Sequence, residues 1–273
     1  MLRLLIHGIA LYGVLVLAIY LLQGRLVFPR TFVQFDDLSS IRANEEVIHT
    51  TTPDNTKLEG LLSKPQNTRG NILMAFAGNA YDVADLVRFL KVIYPNFYIM
   101  GFNYRGYGGS DGSPTEKNLL TDSLHTFDQV TEKFPNKDIS VFGLSIGTAV
   151  ASYLTANRNV KSLILVTPFD SLKKVAKSRY PFLPVNLLLR HNFETDLFIQ
   201  NIKTPIAVIS AENDEVIPKN RTMMLKKLIP NMVYNKEISG AYHNDILTKP
   251  NIDKYLHQAM KAVSNHIYNP LQN

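Results

Sequence analysis

The sequence contains no cysteine among its 273 residues. This absence excludes disulfide bonds, thiolate metal sites and a cysteine nucleophile, although it does not identify a cellular compartment. The chain also lacks the His-Glu-x-x-His spacing of a zinc site and the Gly-Lys-Ser/Thr element of a phosphate-binding loop. No internal repeat or low-complexity tract is visible. Any covalent catalysis must therefore rest on serine, histidine and carboxylate side chains.

The chain also has no concentrated block of charge. Its formal net charge is +6, but the basic residues are scattered and no base-stacking motif accompanies them. This pattern favours a solvated basic surface, facing anionic lipid, over a nucleic-acid interface. With 45% hydrophobic and 19% charged residues, the chain can bury one large core, which predicts a single catalytic domain.

The first segment of the chain is different in kind. Residues 4–22 include no Asp, Glu, Lys or Arg and are numerous enough to cross the hydrocarbon core of a bilayer as a helix. A cleaved signal peptide would have a shorter apolar run and a small-residue cleavage site, which this segment does not offer. We therefore predict an uncleaved, single-pass membrane anchor at 1–24, a linker at 25–35 and a catalytic domain at 36–273.

Charge does not orient this anchor. The start-methionine amine and Arg3 on one side nearly balance Arg25 and Arg30 on the other. The sequence therefore leaves open which side of the membrane carries the catalytic domain.

After the linker, strand-like and helix-like stretches alternate. A turn at 53–55 predicts an antiparallel opening hairpin. The apolar strands that follow are separated by helical patterns, which predicts an α/β fold with a mostly parallel sheet of about eight strands covered on both faces. The expected strands are 47–52, 58–63, 71–77, 97–102, 139–142, 162–167, 206–210 and 233–238, and the expected helices include 82–93, 116–134, 146–156 and 252–267.

One strand-to-helix junction carries the strongest chemical signal. Ser145 follows an apolar strand and lies between Gly143 and Gly147 in a Gly-x-Ser-x-Gly turn. This is the layout of a nucleophile elbow, in which glycines leave room for a sharp turn and the serine hydroxyl rises above the sheet. The amide of Ile146, at the start of the next helix, would point to the developing oxyanion. Ser145 is the predicted nucleophile.

A second serine matches the same five-residue pattern. Ser110 lies within Gly108-Gly109-Ser110-Asp111-Gly112, also after an apolar strand. The chain then continues through Ser113, which we expect to cap a helix with Pro114 at its first position and Glu116 completing the capping box. Ser110 would then lie in a loop one turn short of its helix and is the rejected alternative.

Candidate partners for the serine follow later strands. Asp214 comes just after the strand at 206–210, with Glu212 and Glu215 as alternatives, and His243 follows the last strand in a loop. The order serine, acid, histidine is that of the nucleophile-elbow hydrolases. Asp214 and His243 are therefore the predicted orienting acid and general base, and His191 is the remaining rival for the base.

These pieces together resemble the α/β-hydrolase superfamily, and more narrowly its membrane-anchored, short-capped abhydrolase-domain serine hydrolases. The resemblance covers nearly the whole chain and implies a Ser145–His243–Asp214 triad, with the backbone amide of Asn79 as second oxyanion donor. One departure is that Ala77-Gly78 stands where the family usually has His-Gly. The matching segments are 23–29, 78–80, 103–108, 143–147, 181–185, 213–218 and His243.

The resemblance also assigns two loops. The glycine-rich stretch 105–112 is expected to support the oxyanion loop and the elbow, and the short segment at about 168–204 would form a cap over the pocket. The cap contains aromatic and leucine residues at 180–189 that could line an acyl pocket, touch the membrane or pack on the sheet.

The predicted function is hydrolysis of a carboxylic ester or thioester, in a small-molecule or lipid acyl substrate or in an acylated protein, without a cofactor. Two alternatives stay open: amide or peptide hydrolysis by the same triad, and a catalytically silent binding protein on an inherited fold. Because the span would supply no catalytic group, a chain starting near residue 34 is expected to keep its turnover on water-soluble esters.

Overall fold

The computed structural model describes residues 1–29, 41–67 and 69–265. Most of the predicted linker, the first residues of the predicted catalytic domain up to 40, and the end of the last predicted helix at 266–267 lie outside these ranges. Within them, the predicted α/β architecture is confirmed: helices flank both faces of one central sheet.

Eight strands form this sheet in the described part of the chain, in the order β1-β2-β4-β3-β5-β6-β7-β8. The strands are β1 Glu45–Thr51, β2 Lys57–Ser63, β3 Ile72–Phe76, β4 Tyr98–Phe102, β5 Ile139–Leu144, β6 Leu163–Val166, β7 Ile206–Ala211 and β8 Met232–Ile238. The strands from β3 to β7 are buried along their whole length or nearly so, as expected for a parallel sheet covered on both faces.

The register explains where the sheet changes direction. β2 pairs antiparallel with β1 and with β4, whereas each remaining neighbouring pair is parallel. The predicted opening hairpin is therefore confirmed. Since β3 to β8 all run the same way, the loops that follow β3, β5, β7 and β8 leave the sheet at one common edge.

The helices divide between the two faces. On one face α3, α4 and α8 contribute to the larger apolar cluster, and α2 and α9 cover the opposite face. Three short helices, α5 to α7, lie between β6 and β7, where the cap is expected. The bounds are α1 Leu2–Val27, α2 Val83–Ile93, α3 Glu116–Lys133, α4 Ile146–Asn157, α5 Leu172–Arg179, α6 Val185–Leu188, α7 Thr195–Ile199, α8 Lys219–Leu228 and α9 Ile252–Asn265.

The expected range of α3 is confirmed at its start, but the predicted N-cap at Ser113 with Pro114 at the first helical position is wrong. The helix begins at Glu116, and Thr115 is its N-cap, with the threonine side chain accepting from the amide of Asn118. Glu116 does not complete a capping box; its carboxylate accepts from the backbone amides of Asn192 and Phe193 in the cap. The acceptor that sequence patterning assigned to a local cap is thus used for a tertiary contact, and burial raises the pKa of this carboxyl.

The apolar helix α1 does not stand apart from the rest of the protein. The side-chain amide of Gln23 donates to the carbonyl of Leu188 at 2.9 Å and accepts from the amide of Arg190 at 2.9 Å. Further up the helix, the Tyr12 hydroxyl donates to the carbonyl of Phe182 at 2.7 Å. α1 therefore packs along the cap from its middle to its C-terminal end.

An arginine in the glycine-rich stretch ties three parts of the fold together. Arg105 donates to both oxygens of Asp122 on α3 at 2.7 Å, and to Asp54 in the turn of the opening hairpin. The arginine and Asp122 are buried, whereas Asp54 is largely exposed. Removing one partner of a buried ion pair lowers the free energy of unfolding much more than removing one partner of an exposed pair, because the remaining charge stays buried.

We therefore expect Arg105→Gln to lower the free energy of unfolding by about 3 kcal/mol, because Asp122 would remain buried without its partner. The matched control is Arg158→Gln, which removes another two-point pair with an aspartate, Asp128, at an exposed site. That change should cost at most about 1 kcal/mol. Denaturant unfolding of both variants makes the comparison, and equal losses would show that burial does not set the energy of the Arg105 pair.

Candidate active site

The candidate site is built around the turn between β5 and α4. Ser145 has φ 52° and ψ −119°, a left-handed backbone conformation that a residue with a side chain rarely adopts. Its amide donates to the carbonyl of Val166 on β6 at 2.9 Å, which holds the turn against the neighbouring strand. The sharp predicted elbow is therefore present, and it carries backbone strain that the surrounding contacts must offset.

The two glycines of the motif are required by close backbone contacts. A Cβ added to Gly143 would lie 2.6 Å from the carbonyl oxygen of Gly147, and a Cβ added to Gly147 would lie 2.2 Å from the carbonyl oxygen of Phe76. Both distances are below any real carbon–oxygen contact of this kind, and both partners are backbone atoms that cannot swing aside. Any side chain at either position would push α4 away from the sheet.

Two loops bring polar side chains to this serine. His243 Nε2 lies 2.8 Å from the Ser145 hydroxyl, and His243 Nδ1 lies 2.9 and 3.0 Å from the two oxygens of Asp214. The side chains of His243 and Asp214 are 7% and 6% exposed, so solvent hardly competes for these hydrogen bonds. The structure thus brings all three predicted residues into one row of hydrogen bonds, an arrangement able to move a proton from the hydroxyl to the imidazole.

The alternative acids take other roles. The Glu215 carboxylate accepts from the backbone amide of His243 at 2.9 Å, and Glu212 accepts from Ser239 and Gly240 in the loop after β8. Asp214 itself also accepts from the amides of the next turn, at Val216 and Ile217. Asp214 thus contacts the imidazole, while Glu215 and Glu212 accept hydrogen bonds from the backbone of the loop after β8.

The predicted oxyanion donors border the serine. Ile146 is the first residue of α4, and a Cβ added to Gly78 would lie 3.6 Å from the Ser145 Cβ, so the loop with Asn79 lies against the elbow. Within the described residues, no protein oxygen accepts from the backbone amide of Asn79 or of Ile146. Free amide donors beside a serine hydroxyl, one of them at a helix N-terminus, can bind a developing negative charge.

The loop that carries Asn79 is held from several sides. The Tyr104 hydroxyl donates to the carbonyl of Ala77 at 2.9 Å, and the Tyr107 hydroxyl donates to the Asn79 side-chain oxygen at 2.9 Å. The Asn79 side-chain amide donates to the backbone carbonyl of Val27 in α1. Burial raises the pKa of Tyr104 well above its usual range, with a smaller effect from Tyr107, so its hydroxyl stays a donor.

The rejected candidates lie in structural positions. Ser110 is buried; its hydroxyl accepts from the amide of Glu59 and donates to the carbonyl of Asn103, both at 2.9 Å. His191 packs edge-on against Phe28 in the cap, and burial, with the charge of Arg190, lowers its pKa. In the described part of the chain, neither side chain hydrogen-bonds to Ser145, His243 or Asp214, and the surrounding structure accounts for both.

Comparison with known proteins agrees with this architecture. A family profile described as the alpha/beta hydrolase fold matches residues 72–197. An uncharacterized membrane protein of Saccharomyces cerevisiae, YNL320W, is 30% identical in an alignment that covers 88% of this chain and 89% of the yeast protein. The chain belongs to the α/β-hydrolase superfamily. Its mostly parallel sheet of eight strands in the described residues agrees with the fold that the resemblance predicted.

Two further comparisons are with a lipase and with an esterase. The lysophosphatidylserine lipase ABHD12 of Danio rerio is 28% identical in an alignment that covers 53% of this chain and 42% of the lipase. A solved structure of the Pyrococcus furiosus esterase Pf2001 has a TM-score of 0.65 at 18% identity, over 86% of this chain and 96% of the esterase, and so shares the fold. This α/β-hydrolase is a serine hydrolase of the esterase and lipase type.

Several supporting residues were not assigned roles from the sequence. Glu215 was considered only as an alternative acid, and Tyr104 and Tyr107 appeared only as part of a matching segment. Val27 and Phe28 both lie in the stretch 25–35 that was predicted as a linker. Each acts through a contact between segments far apart in the chain, so no local spacing could have found it; the matching segments were the available signal.

Proposed function

We propose that this protein hydrolyses carboxylic esters or thioesters of acyl substrates, with Ser145 as nucleophile, His243 as general base and acid, and Asp214 as the group that orients the imidazole. The observation that carries the proposal is the row of hydrogen bonds from Ser145 through His243 to Asp214, set on a strained strand-to-helix turn. Membership of the α/β-hydrolase superfamily supports it.

The geometry supports a two-step acyl transfer. His243 Nε2 takes the hydroxyl proton as Ser145 Oγ attacks the acyl carbonyl, and Asp214 stabilises the imidazolium that forms. The amides of Asn79 and Ile146 bind the oxyanion, each donor contributing about 3–4 kcal/mol to the barrier reduction. The imidazolium then protonates the leaving alcohol or thiol. Water, activated by the same imidazole, attacks the acyl-enzyme, releases the acid and restores the serine.

We further propose that the substrate is an acyl lipid, or a lipidated protein, held in a membrane. Among helices in the described ranges, α1 is the one with the length and apolar composition to cross a bilayer, and its 26 residues span about 39 Å. The yeast relative is named a membrane protein and the zebrafish relative a lipase of lysophosphatidylserine. A net charge of +6 also suits an anionic lipid surface.

In this proposal the chain has a membrane anchor at its N-terminus, single-pass, with an α/β-hydrolase domain beside it. The cap that we predicted at about 168–204 comprises α5 to α7 and packs against both α1 and the sheet. Several of its apolar side chains remain exposed, among them Tyr180, Phe182 and Leu187. Such a surface next to an apolar helix suits contact with lipid better than contact with water.

The first test separates the two serines. Ser145→Ala should lower the turnover of a p-nitrophenyl acyl ester by about a million-fold, because the nucleophile is lost. Ser110→Ala is the matched control, since that residue lies in the same pentapeptide pattern, and it should keep most of the activity. A fluorophosphonate probe should label the parent protein and not the Ser145 variant. Activity that survives in Ser145→Ala and disappears in Ser110→Ala would reverse the assignment.

The second test addresses the base and its orienting acid. Asp214→Asn should lower kcat about ten-thousand-fold while the fold is kept, because the amide favours the wrong tautomer of His243. His243→Ala should be inactive, whereas His191→Ala should lose no more than about tenfold, because His191 packs against Phe28 and does not contact Ser145. Steady-state kinetics on the soluble ester give these values. Parent-level turnover in His243→Ala would contradict the proposed base.

The third test addresses the membrane. Val14→Lys combined with Leu17→Lys changes two exposed residues near the middle of α1, and two charges at the helix centre oppose insertion by about 5–7 kcal/mol. We expect this full-length variant to lose co-flotation with phospholipid vesicles and to hydrolyse long-chain esters in those vesicles much more slowly. Its kcat on a short soluble ester should match the parent. The control carries alanine at both positions, and equal rates of all three proteins on vesicle substrates would exclude a membrane-borne substrate.

A further inference from the structure

We infer that the C-terminal end of the apolar helix α1 is a positioning element for the oxyanion loop. The backbone carbonyl of Val27 accepts a hydrogen bond from the Asn79 side chain, and Phe28 holds that carbonyl inside the catalytic domain. The inference rests on the proposed role of the Asn79 backbone amide as an oxyanion donor. It assigns part of the apparent membrane anchor to the catalytic machinery.

The contact starts from a general property of helix ends. The last carbonyls of an α-helix have no partner within the helix. The amide of Phe28 donates to the carbonyl of Gly24 at 3.0 Å and so closes the last turn of α1. The carbonyl of Val27, the last residue of the helix, needs a donor from another segment. The side-chain amide of Asn79 supplies that donor. This hydrogen bond pairs the last carbonyl of the helix with the side-chain amide of the oxyanion loop.

Both polar atoms of the Asn79 side chain are engaged. Its oxygen accepts from the Tyr107 hydroxyl at 2.9 Å, while its nitrogen donates to Val27, so the amide plane is held at both ends. A single carbon, Cβ, joins the fixed side-chain amide of Asn79 to the backbone whose N–H is the proposed oxyanion donor. The next residue, Ala80, has φ 56°, a left-handed conformation that a loop keeps only when its surroundings enforce it. The fixed side chain is one such enforcement.

The helix end is itself fixed by the core. The Phe28 side chain is 2% exposed and meets the rings of His191 and Phe193 edge-on, with centroids 5.1 and 6.3 Å away. Gln23, one turn earlier, is buried against the carbonyl of Leu188. The Val27 carbonyl therefore cannot move relative to Asn79 unless this packing opens.

This arrangement changes one expectation from the sequence. A chain starting near residue 34 was expected to keep its turnover because the span supplies no catalytic group. Such a chain would lack the Val27 carbonyl and would leave a phenylalanine-sized void beside His191 and Phe193 in the core. We now expect its turnover on soluble esters to fall, even though none of the three residues of the triad is removed.

The test uses the full-length protein in detergent micelles with a short water-soluble ester. Asn79→Ala keeps the backbone amide and removes both side-chain hydrogen bonds; Phe28→Leu loosens the helix end without emptying the core site. Each should lower kcat about tenfold, since small displacements of a catalytic group are costly, and leave KM within about twofold. Leu26→Ala, on an exposed face of the same helix, is the matched control and should behave as the parent.

The double variant distinguishes positioning from general loss of stability. If Phe28 acts through Asn79, then Phe28→Leu should have little further effect on kcat in the Asn79→Ala background, whereas independent effects would multiply. Thermal unfolding checks that each variant is folded at the assay temperature. If Phe28→Leu unfolds, Tyr107→Phe, which removes the hydroxyl on the other side of Asn79, takes its place in the same cycle.

Two results would overturn the inference: parent-level kcat in both Asn79→Ala and Phe28→Leu, or fully multiplicative effects in the double variant. Both leave the proposed function standing, provided that Ser145→Ala is inactive. Full activity of Ser145→Ala would instead remove the proposed function, and this inference with it.

Discussion

The arrangement of the site depends on one strained residue. Ser145 is held in a left-handed backbone conformation, and the close approach of Gly147 to the carbonyl of Phe76 leaves α4 no other position on the sheet. Because the turn cannot relax, the Ser145 hydroxyl stays at the edge of the sheet where the loops that follow β7 and β8 begin. The hydrogen bonds to His243 and the position of the Ile146 amide follow from that one constraint.

The loops that meet at this edge are connected by hydrogen bonds to backbone groups as much as by contacts between side chains. The Glu215 carboxylate accepts from the backbone amide of His243, and the Tyr104 hydroxyl donates to the backbone carbonyl of Ala77. From the cap, the Arg179 guanidinium donates to the carbonyls of Glu215 and Val216 in the loop of the orienting acid. The family's usual histidine is replaced by Ala77 here, yet the carbonyl at this position still has a firm partner. The loop thus keeps its support through an atom that the substitution does not alter.

Much of this could be predicted from the sequence, because the signals were local. Strand–helix alternation predicted the sheet, a Gly-x-Ser-x-Gly turn predicted the elbow, and the chain order of serine, acid and histidine predicted which side chains would meet. The cap of α3 was predicted wrongly because Glu116 has two possible partners, a local amide and the distant amides of Asn192 and Phe193, and only the folded chain decides between them. The contacts of Gln23 and Phe28 were missed because they also join segments far apart in the chain. The apolar composition of the helix before them indicates burial in lipid or in protein equally well.

The hydrogen bond from Tyr12 to Phe182 determines how deep the cap would lie in a bilayer that α1 crosses. Tyr12 lies 15 residues before Val27, so the two are about 22 Å apart along the helix axis, and the ten helical residues before Tyr12 add about 15 Å. A hydrocarbon layer is about 30 Å thick. A bilayer crossed by the whole of α1 must therefore also surround the tip of the cap, where the tyrosine hydroxyl satisfies a carbonyl that water could not reach.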